Sequence, residues 1–273
     1  MTTLLDLLYV ALFAVVLPLL DYVFFWPAFR RRSQADQARA RTWLCAWAIL
    51  GAWPVVAVGA ALWVWNNRSW TSFGLSVPEG WRLWTSIALV LLLAAYFAYA
   101  VATLAHSSDA RASLRQQIGK LTANMPHTRT DLYWFGGVSL TAGFCEEFLF
   151  RGYFIWVFAP WLGWWGAAAL SLLFFALGHV AVYQGWNGAL RTGIVGAFFT
   201  LVVAIFDSLW PAIALHAFLD LGQGLIEWLA LREGQSTGDV MEVEKPTEPQ
   251  SASGVESSPV QAEPSAAPDR RGM

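Results

Sequence analysis

The chain has 273 residues, a formal net charge of −2, 57% hydrophobic side chains and only 13% charged ones. Ordinary globular chains carry about 25% charged residues; a mean hydropathy of +0.47 leaves too little polar surface to face water, which excludes a soluble domain. Nucleic acid is excluded as a partner as well, because no basic block of the necessary size occurs.

Taken in chain order, seven apolar runs approach the roughly 20 residues that a helix needs to cross a bilayer. They are 4–26, 43–65, 83–105, 132–157, 164–183, 189–206 and 209–231. The first has no basic stretch before it, and Arg30, Arg31 and Arg32 follow it where a signal peptide would carry small residues. It therefore reads as a retained span. Lys and Arg in the loops set the orientation. The 27–42 loop holds Arg30, Arg31, Arg32, Arg39 and Arg41, and the 106–131 loop holds Arg111, Arg115, Lys120 and Arg129. The 66–82 loop holds only Arg68 and Arg82, and 158–163 holds neither Lys nor Arg and lies amid Trp156, Trp161, Trp164 and Trp165. The two basic loops are thus assigned to the cytoplasm, with the N-terminus outside and the C-terminus inside. The stretch Trp70–Leu75 reads as interfacial.

Beyond Glu233 the composition turns to Pro, Ser, Glu and Ala, which cannot bury enough apolar area to offset the entropy of ordering. The expected fold is all-α, a polytopic transmembrane helical bundle of about seven spans with a disordered C-terminal tail. Its expected divisions are scaffold helices over 1–131, catalytic helices over 132–231 and a cytoplasmic tail over 232–273. Cys45 and Cys145 lack CxxC spacing, which excludes zinc-finger and thioredoxin-like chemistry. Cys145 reads as a small apolar residue of a membrane helix.

The second half holds charges where a bilayer disfavours them. A charge near the bilayer centre costs about 2.5–3.5 kcal/mol on insertion scales, so such residues normally face a protein interior and serve a function. Within 132–231 the ionisable residues are Glu146, Glu147, Arg151, His179, Arg191, Asp207, His216, Asp220 and Glu227. Arg191 and Asp207 fall near run ends, and Glu227 is assigned to the cytoplasmic interface. Glu147 and Arg151 stand one helical turn apart, acid first, which is the favourable order. Glu146 is rotated by about 100° from Glu147 and is able to aim elsewhere. Phe175 with His179, and His216 with Asp220, repeat the one-turn interval on later runs. Glu146 and His179 suit holding and deprotonating a water. His216, with Asp220 nearby, suits donation to the oxyanion at a scissile carbonyl. Each pair alone also has an ordinary reading as helix stabilisation or core packing; the ordered combination is the signal.

That combination, Glu146-Glu147-x-x-x-Arg151, then Phe175-x-x-x-His179, then His216-x-x-x-Asp220, resembles the signature of the CAAX protease and bacteriocin-processing (Abi) family, which includes the type II CAAX prenyl endopeptidases. The resemblance implies a helical intramembrane glutamate protease. Glu146 would be the water-activating base and His179 its partner, with His216 and Asp220 on the oxyanion and Glu147, Arg151 and Phe175 in support. Asp220 stands where the eukaryotic CAAX enzymes have Asn, so it is read as either protonated or orienting His216. The implied partners are membrane lipid and a peptide or protein substrate, in a bacterial inner membrane. No cofactor is expected; zinc ranks second, since no HExxH occurs. The alternative reading is a non-proteolytic membrane scaffold or bacteriocin-immunity protein that retains the motif. A transporter or proton relay ranks lower, because no internal repeat is visible.

Simple alternation leaves a conflict of depth. Glu146 lies about 20 Å, and His179 only about 6 Å, from the cytoplasmic ends of their runs. Contact among Glu146, His179 and His216 demands tilt, a broken helix or other boundaries.

Overall fold

The computed structural model describes residues 2–118, 124–180, 182 and 185–232. The expected tail beyond Arg232, and Lys120 of the second basic loop, lie outside the described residues. Among those residues there are helices and no strand. In order they are α1 (Leu4–Ala35), α2 (Gln37–Trp65), α3 (Gly80–His106), α4 (Ser108–Ile118), α5 (Arg129–Gly178), α6 (Trp186–Phe206) and α7 (Trp210–Leu231).

Five of these, α1, α2, α3, α5 and α6, are long and apolar enough to cross a membrane. The expected seven spans change in two ways. Runs 132–157 and 164–183 are two arms of α5, which breaks at Gly163 with φ 67° and ψ 166°. Run 209–231 is α7, a helix of spanning length whose His216, Asp220, Gln223 and Glu227 dilute its hydropathy. Large side chains such as Leu50, Leu91, Leu190 and Ile194 point outward and are exposed, as a lipid-facing surface requires. The interior is aromatic: Trp63, Tyr153, Phe154, Phe175 and Phe199 are all fully buried.

The break at Gly163 resolves the conflict of depth. The arms of α5 run antiparallel, with the Ser171 hydroxyl donating to the Phe150 carbonyl at 2.7 Å. Phe154 meets Phe174 and Phe150 meets Phe175, at ring separations of 5.8 and 5.1 Å. Glu146 and His179 each lie about 25 Å from Gly163 along their arms, and are therefore level. The first arm, at about 50 Å from Arg129 to Gly163, exceeds a hydrocarbon core of about 30 Å. Glu146 accordingly occupies its middle, while His179 terminates the shorter second arm.

His216 reaches the same level by a different route. The stretch Trp70–Leu75, expected to be interfacial, contains a short 3-10 turn, Thr71–Phe73, with Trp70, Thr71 and Ser72 exposed and Phe73 buried. Segment 70–76 binds the start of α7: Leu209 N–H donates to the Gly74 carbonyl at 2.7 Å, Ser208 to Ser76 at 2.7 Å, and the Trp210 indole to Leu75 at 2.9 Å. Seated there, α7 carries His216 about 9 Å further along its axis.

Two buried ion pairs tie the first half to α5. Arg68 donates to both oxygens of the fully buried Asp6, at 2.8 and 2.7 Å, and the Tyr153 hydroxyl of α5 donates to Asp6 at 2.5 Å. The hydrogen bond to Asp6 holds the Arg68 guanidinium above its ordinary pKa, and that guanidinium lies 4.4 Å above the Trp156 ring. At the opposite end, Arg41 of α2 donates to Asp131 at 3.1 Å, where Asp131 also accepts from the His127 and Thr128 amides.

Removing one partner of a buried pair strands the other charge, at about 3–5 kcal/mol. Arg68→Ala is therefore expected to lower the unfolding free energy of the detergent-solubilised protein by about that amount, read as a lowered unfolding midpoint. Arg82→Ala, which loses a 3.8 Å contact with the exposed Asp207 and a 5.8 Å approach to the exposed Trp81 ring, is expected to cost under about 1 kcal/mol. Equal midpoints for the two variants would show that the Asp6 cluster contributes no net stability.

Candidate active site

At Glu147 the first arm of α5 passes from α-helix to a π-helical stretch, Glu147–Phe154, all of it buried. Such wide turns are rare and concentrate at functional sites. Consecutive helical residues point about 100° apart, and the two acids at this junction differ in burial: the Glu147 side chain is 0% exposed and that of Glu146 30% exposed.

Glu147 Oε1 accepts two hydrogen bonds, from Arg151 Nη1 at 2.9 Å and from His216 Nδ1–H at 2.9 Å. An oxygen already accepting from a guanidinium is an acceptor for the imidazole as well, so the His216 proton toward Glu147 is on Nδ1. Arg151 continues the chain, donating from Nη2 to the Gly196 carbonyl of α6 at 3.0 Å and lying 4.2 Å above the Phe175 ring. A Cβ at position 196 would stand 2.7 Å from Arg151 Nη2 and 2.9 Å from Phe175, so this close approach requires glycine. The His216 ring stacks on Phe199 at 4.8 Å and 21°.

His179 is the C-cap of the second arm. Its Nδ1–H donates to the Phe175 carbonyl at 2.7 Å and its ring packs on Phe175 at 4.7 Å. Nε2 is thereby turned toward Glu146. Glu146 Oε2 lies 3.9 Å from His179 Nε2 and 3.9 Å from His216 Nε2, and Asp220 Oδ2 lies 3.6 Å from the latter. These separations are too long for direct hydrogen bonds and short enough for one water to touch several of the groups.

All seven residues singled out in the sequence, Glu146, Glu147, Arg151, Phe175, His179, His216 and Asp220, thus converge. One relation differs from expectation. Glu147 holds His216 through Nδ1, while Asp220 flanks the opposite nitrogen, Nε2. The i,i+4 spacing of His216 and Asp220 suggested contact, but an imidazole has two nitrogens and spacing does not say which one is met.

A cavity of about 520 Å³ opens beside the cluster, walled by Glu146, His179, His216 and Asp220 together with Asn187, Arg191, Thr192 and Gln223. A second, of about 230 Å³, approaches from the first half and is mainly apolar, with Trp26, Leu44, Cys45, Ala48, Met125 and Phe135 in its wall. Sequence reasoning missed Gln223, Asn187 and Thr192; Gln223 had a usable signal, standing one turn beyond Asp220 on an apolar helix. Arg191, assigned to a run end, lines the cavity. Glu227, assigned to the interface, is 6% exposed and so buried. Among the described residues no group of three or more His, Cys, Asp or Glu is arranged to hold a metal ion. Cys145 is buried and lines neither cavity.

Residues 128–222 match the model of the family described as type II CAAX prenyl endopeptidase Rce1-like. The match covers roughly a third of the chain and contains all seven converging residues. The matched family is one of proteases. No curated protein and no solved structure matches the chain.

The unequal burial of the two acids generates a direct comparison. Glu147→Ala leaves the Arg151 charge unpaired in the core and is expected to cost about 3–5 kcal/mol. Glu146→Ala removes a partly exposed carboxylate and is expected to stay within about 1 kcal/mol of the parent. Unfolding midpoints of both variants check this, and a Glu146→Ala loss as large as that of Glu147→Ala would contradict the division of roles.

Proposed function

We propose that this integral membrane protein is an intramembrane endopeptidase, with residues 128–222, matched to a family of CAAX prenyl endopeptidases, hydrolysing a peptide bond by direct attack of water. One observation carries the reading: the Glu146 carboxylate stands 3.9 Å from two imidazole Nε2 atoms at the wall of a cavity large enough for a peptide segment.

In this reading Glu146 takes a proton from water while His179 Nε2, its Nδ1 committed to Phe175, accepts the second hydrogen and fixes the attack direction. The hydroxide adds to the scissile carbonyl carbon. His216 acts as an imidazolium, its Nδ1–H given to Glu147 and its Nε2–H, flanked by the Asp220 and Glu146 carboxylates, free to donate to the oxyanion. Asp220 steers that edge of the ring from the next turn of α7. The proton on Glu146 then passes to the departing amine, and the C–N bond breaks without a covalent enzyme intermediate. Glu147, Arg151 and Phe175 hold the array in place.

The helices of the first 131 residues serve as scaffold and supply part of the second cavity's wall. The wall residues Trp26, Leu44 and Met125 lie close in sequence to Arg30, Arg41 and Arg129. This supports an opening toward the cytoplasmic side, an outward N-terminus and a bacterial inner membrane as the location. The partners are then membrane lipid and a peptide or protein substrate.

The test compares membrane and secreted peptide termini in cells carrying the wild type, no protein, or Glu146→Ala at equal expression. A terminus found only with the wild type is expected, and with purified components Glu146→Ala should lower kcat by at least about 10²-fold. Identical termini in all three, with a phenotype shared by wild type and Glu146→Ala but absent from the null, would replace this reading with the scaffold or immunity one. The reading also places no resident metal in the step. Chelators are expected to leave the purified activity unchanged, and activity lost to chelation and restored by zinc would reassign Glu146 and the two histidines as ligands.

A further inference from the structure

The polar stripe of α7 continues past Asp220. His216, Asp220, Gln223 and Glu227 succeed one another at one-turn intervals along a single helical face. The two cavities beside the cluster share Glu146, His179, Asp220 and Gln223 in their walls. Three of those are titratable members of the cluster; Gln223 is the neutral amide at the junction.

Its orientation is set from below. Gln223 Nε2 donates to Glu227 Oε1 at 3.0 Å. A carboxylate only accepts, so Glu227 selects the NH₂ end of the amide and leaves the carboxamide oxygen for the junction. Glu227 is buried, and its other oxygen has no hydrogen-bond partner among the described residues. A carboxylate in such a place is costly unless it serves something, and the group it holds is Gln223. The second cavity also carries Asn124 in its wall, with a buried carboxamide oxygen unpartnered among the described residues.

A peptide extended through a cleft at this depth brings backbone N–H groups to where water is scarce, and each left without an acceptor weakens binding. We propose that the Gln223 carboxamide oxygen accepts a backbone N–H of the extended substrate beside the scissile bond, with Glu227 as the positioning residue that fixes its rotamer. This rests on the proteolytic reading above and deepens it. The contact reads main chain, so it sets the register of the peptide across Glu146 whatever side chains the peptide carries.

The experiment uses the full chain in lipid nanodiscs and a synthetic peptide spanning the Glu146-dependent cleavage point, with a companion set in which each backbone N–H in turn is N-methylated. Gln223→Ala, and Gln223→Met, which keeps the side-chain volume, are expected to raise KM by up to about tenfold, the loss of one hydrogen bond. kcat should stay within about twofold, the pattern for removed uniform binding. One N-methylated peptide should show the same KM with the wild type and with Gln223→Met, identifying the N–H concerned. Glu227→Leu should raise KM in the same direction by a smaller factor. An unchanged KM in Gln223→Met, or an equal penalty for every N-methylated peptide, overturns the inference while hydrolysis by the wild type keeps the proteolytic reading. Equal rates for the wild type and Glu146→Ala overturn the proteolytic reading itself.

Discussion

One oxygen of one buried carboxylate organises the site. Glu147 Oε1 receives Arg151 from the next turn of its own helix and His216 from α7, and Arg151 passes the constraint to α6 through the Gly196 carbonyl. Three helices that carry no chemical sign of mutual preference are thereby registered to within a hydrogen bond. Hydrophobic burial does not do this inside a bilayer, where lipid tails are as apolar as Leu and Phe and helices gain little from that effect alone. A buried ion pair is weak evidence of net stability; its value here is geometric. Slippage of α7 by one residue would take the His216 imidazole away from its acceptor.

Depth is set separately from register. Gly163 reverses α5 so that Glu146, in the middle of a long arm, and His179, at the end of a short one, are level. The segment 70–76 sets the starting height of α7 through main-chain carbonyls at Gly74, Leu75 and Ser76. Backbone of this kind is tolerated at such positions because its polar groups are satisfied by protein. The Asp6–Arg68–Tyr153 cluster secures the start of α1 and the part of α5 ten residues before its break to the same loop region. The first half is therefore more than filling: its loop and ion pairs hold α5 and the start of α7 in position.

The membrane class, the helices and the seven converging residues were legible in the sequence, because each signal is local. Apolar length marks a span, and an i,i+4 interval marks a shared helical face. The relations that make the site specific are not local. Glu147 and His216 are far apart in the chain, and nothing in either motif says that His216 Nδ1 turns to Glu147 while Nε2 turns to Glu146 and Asp220. Arg68 was legible only as a charge for orientation, since its partner Asp6 precedes it by two helices. The loop around Trp161–Trp165 was located, but its single reversing residue, Gly163, was not, because hydropathy does not distinguish a loop from a break within one helix. Glu227 looked interfacial from its distance to the end of α7; the packing of α4 and α5 against that end buries it.

Two adjacent glutamates with different tasks raise a physical question: what keeps Glu146 from taking the role of Glu147? In an ideal α-helix the two would diverge by about 100° and both could face a wide polar interior. Here the backbone changes to a π-helical turn at Glu147, and the eight residues from Glu147 to Phe154 are buried together. Glu147 enters a compartment closed by Phe148, Phe175 and Phe199, where the charge-bearing donors are Arg151 and His216. Glu146 remains on the cavity side, where its nearest imidazole nitrogens are 3.9 Å away and one water beside them can touch both groups. Glu147 Oε1 already accepts from a guanidinium and an imidazole inside the protein, whereas Glu146 is 30% exposed and lines the cavity. The proposed assignment of base to Glu146 and brace to Glu147 therefore rests on which of the two carboxylates the packing leaves on the cavity side.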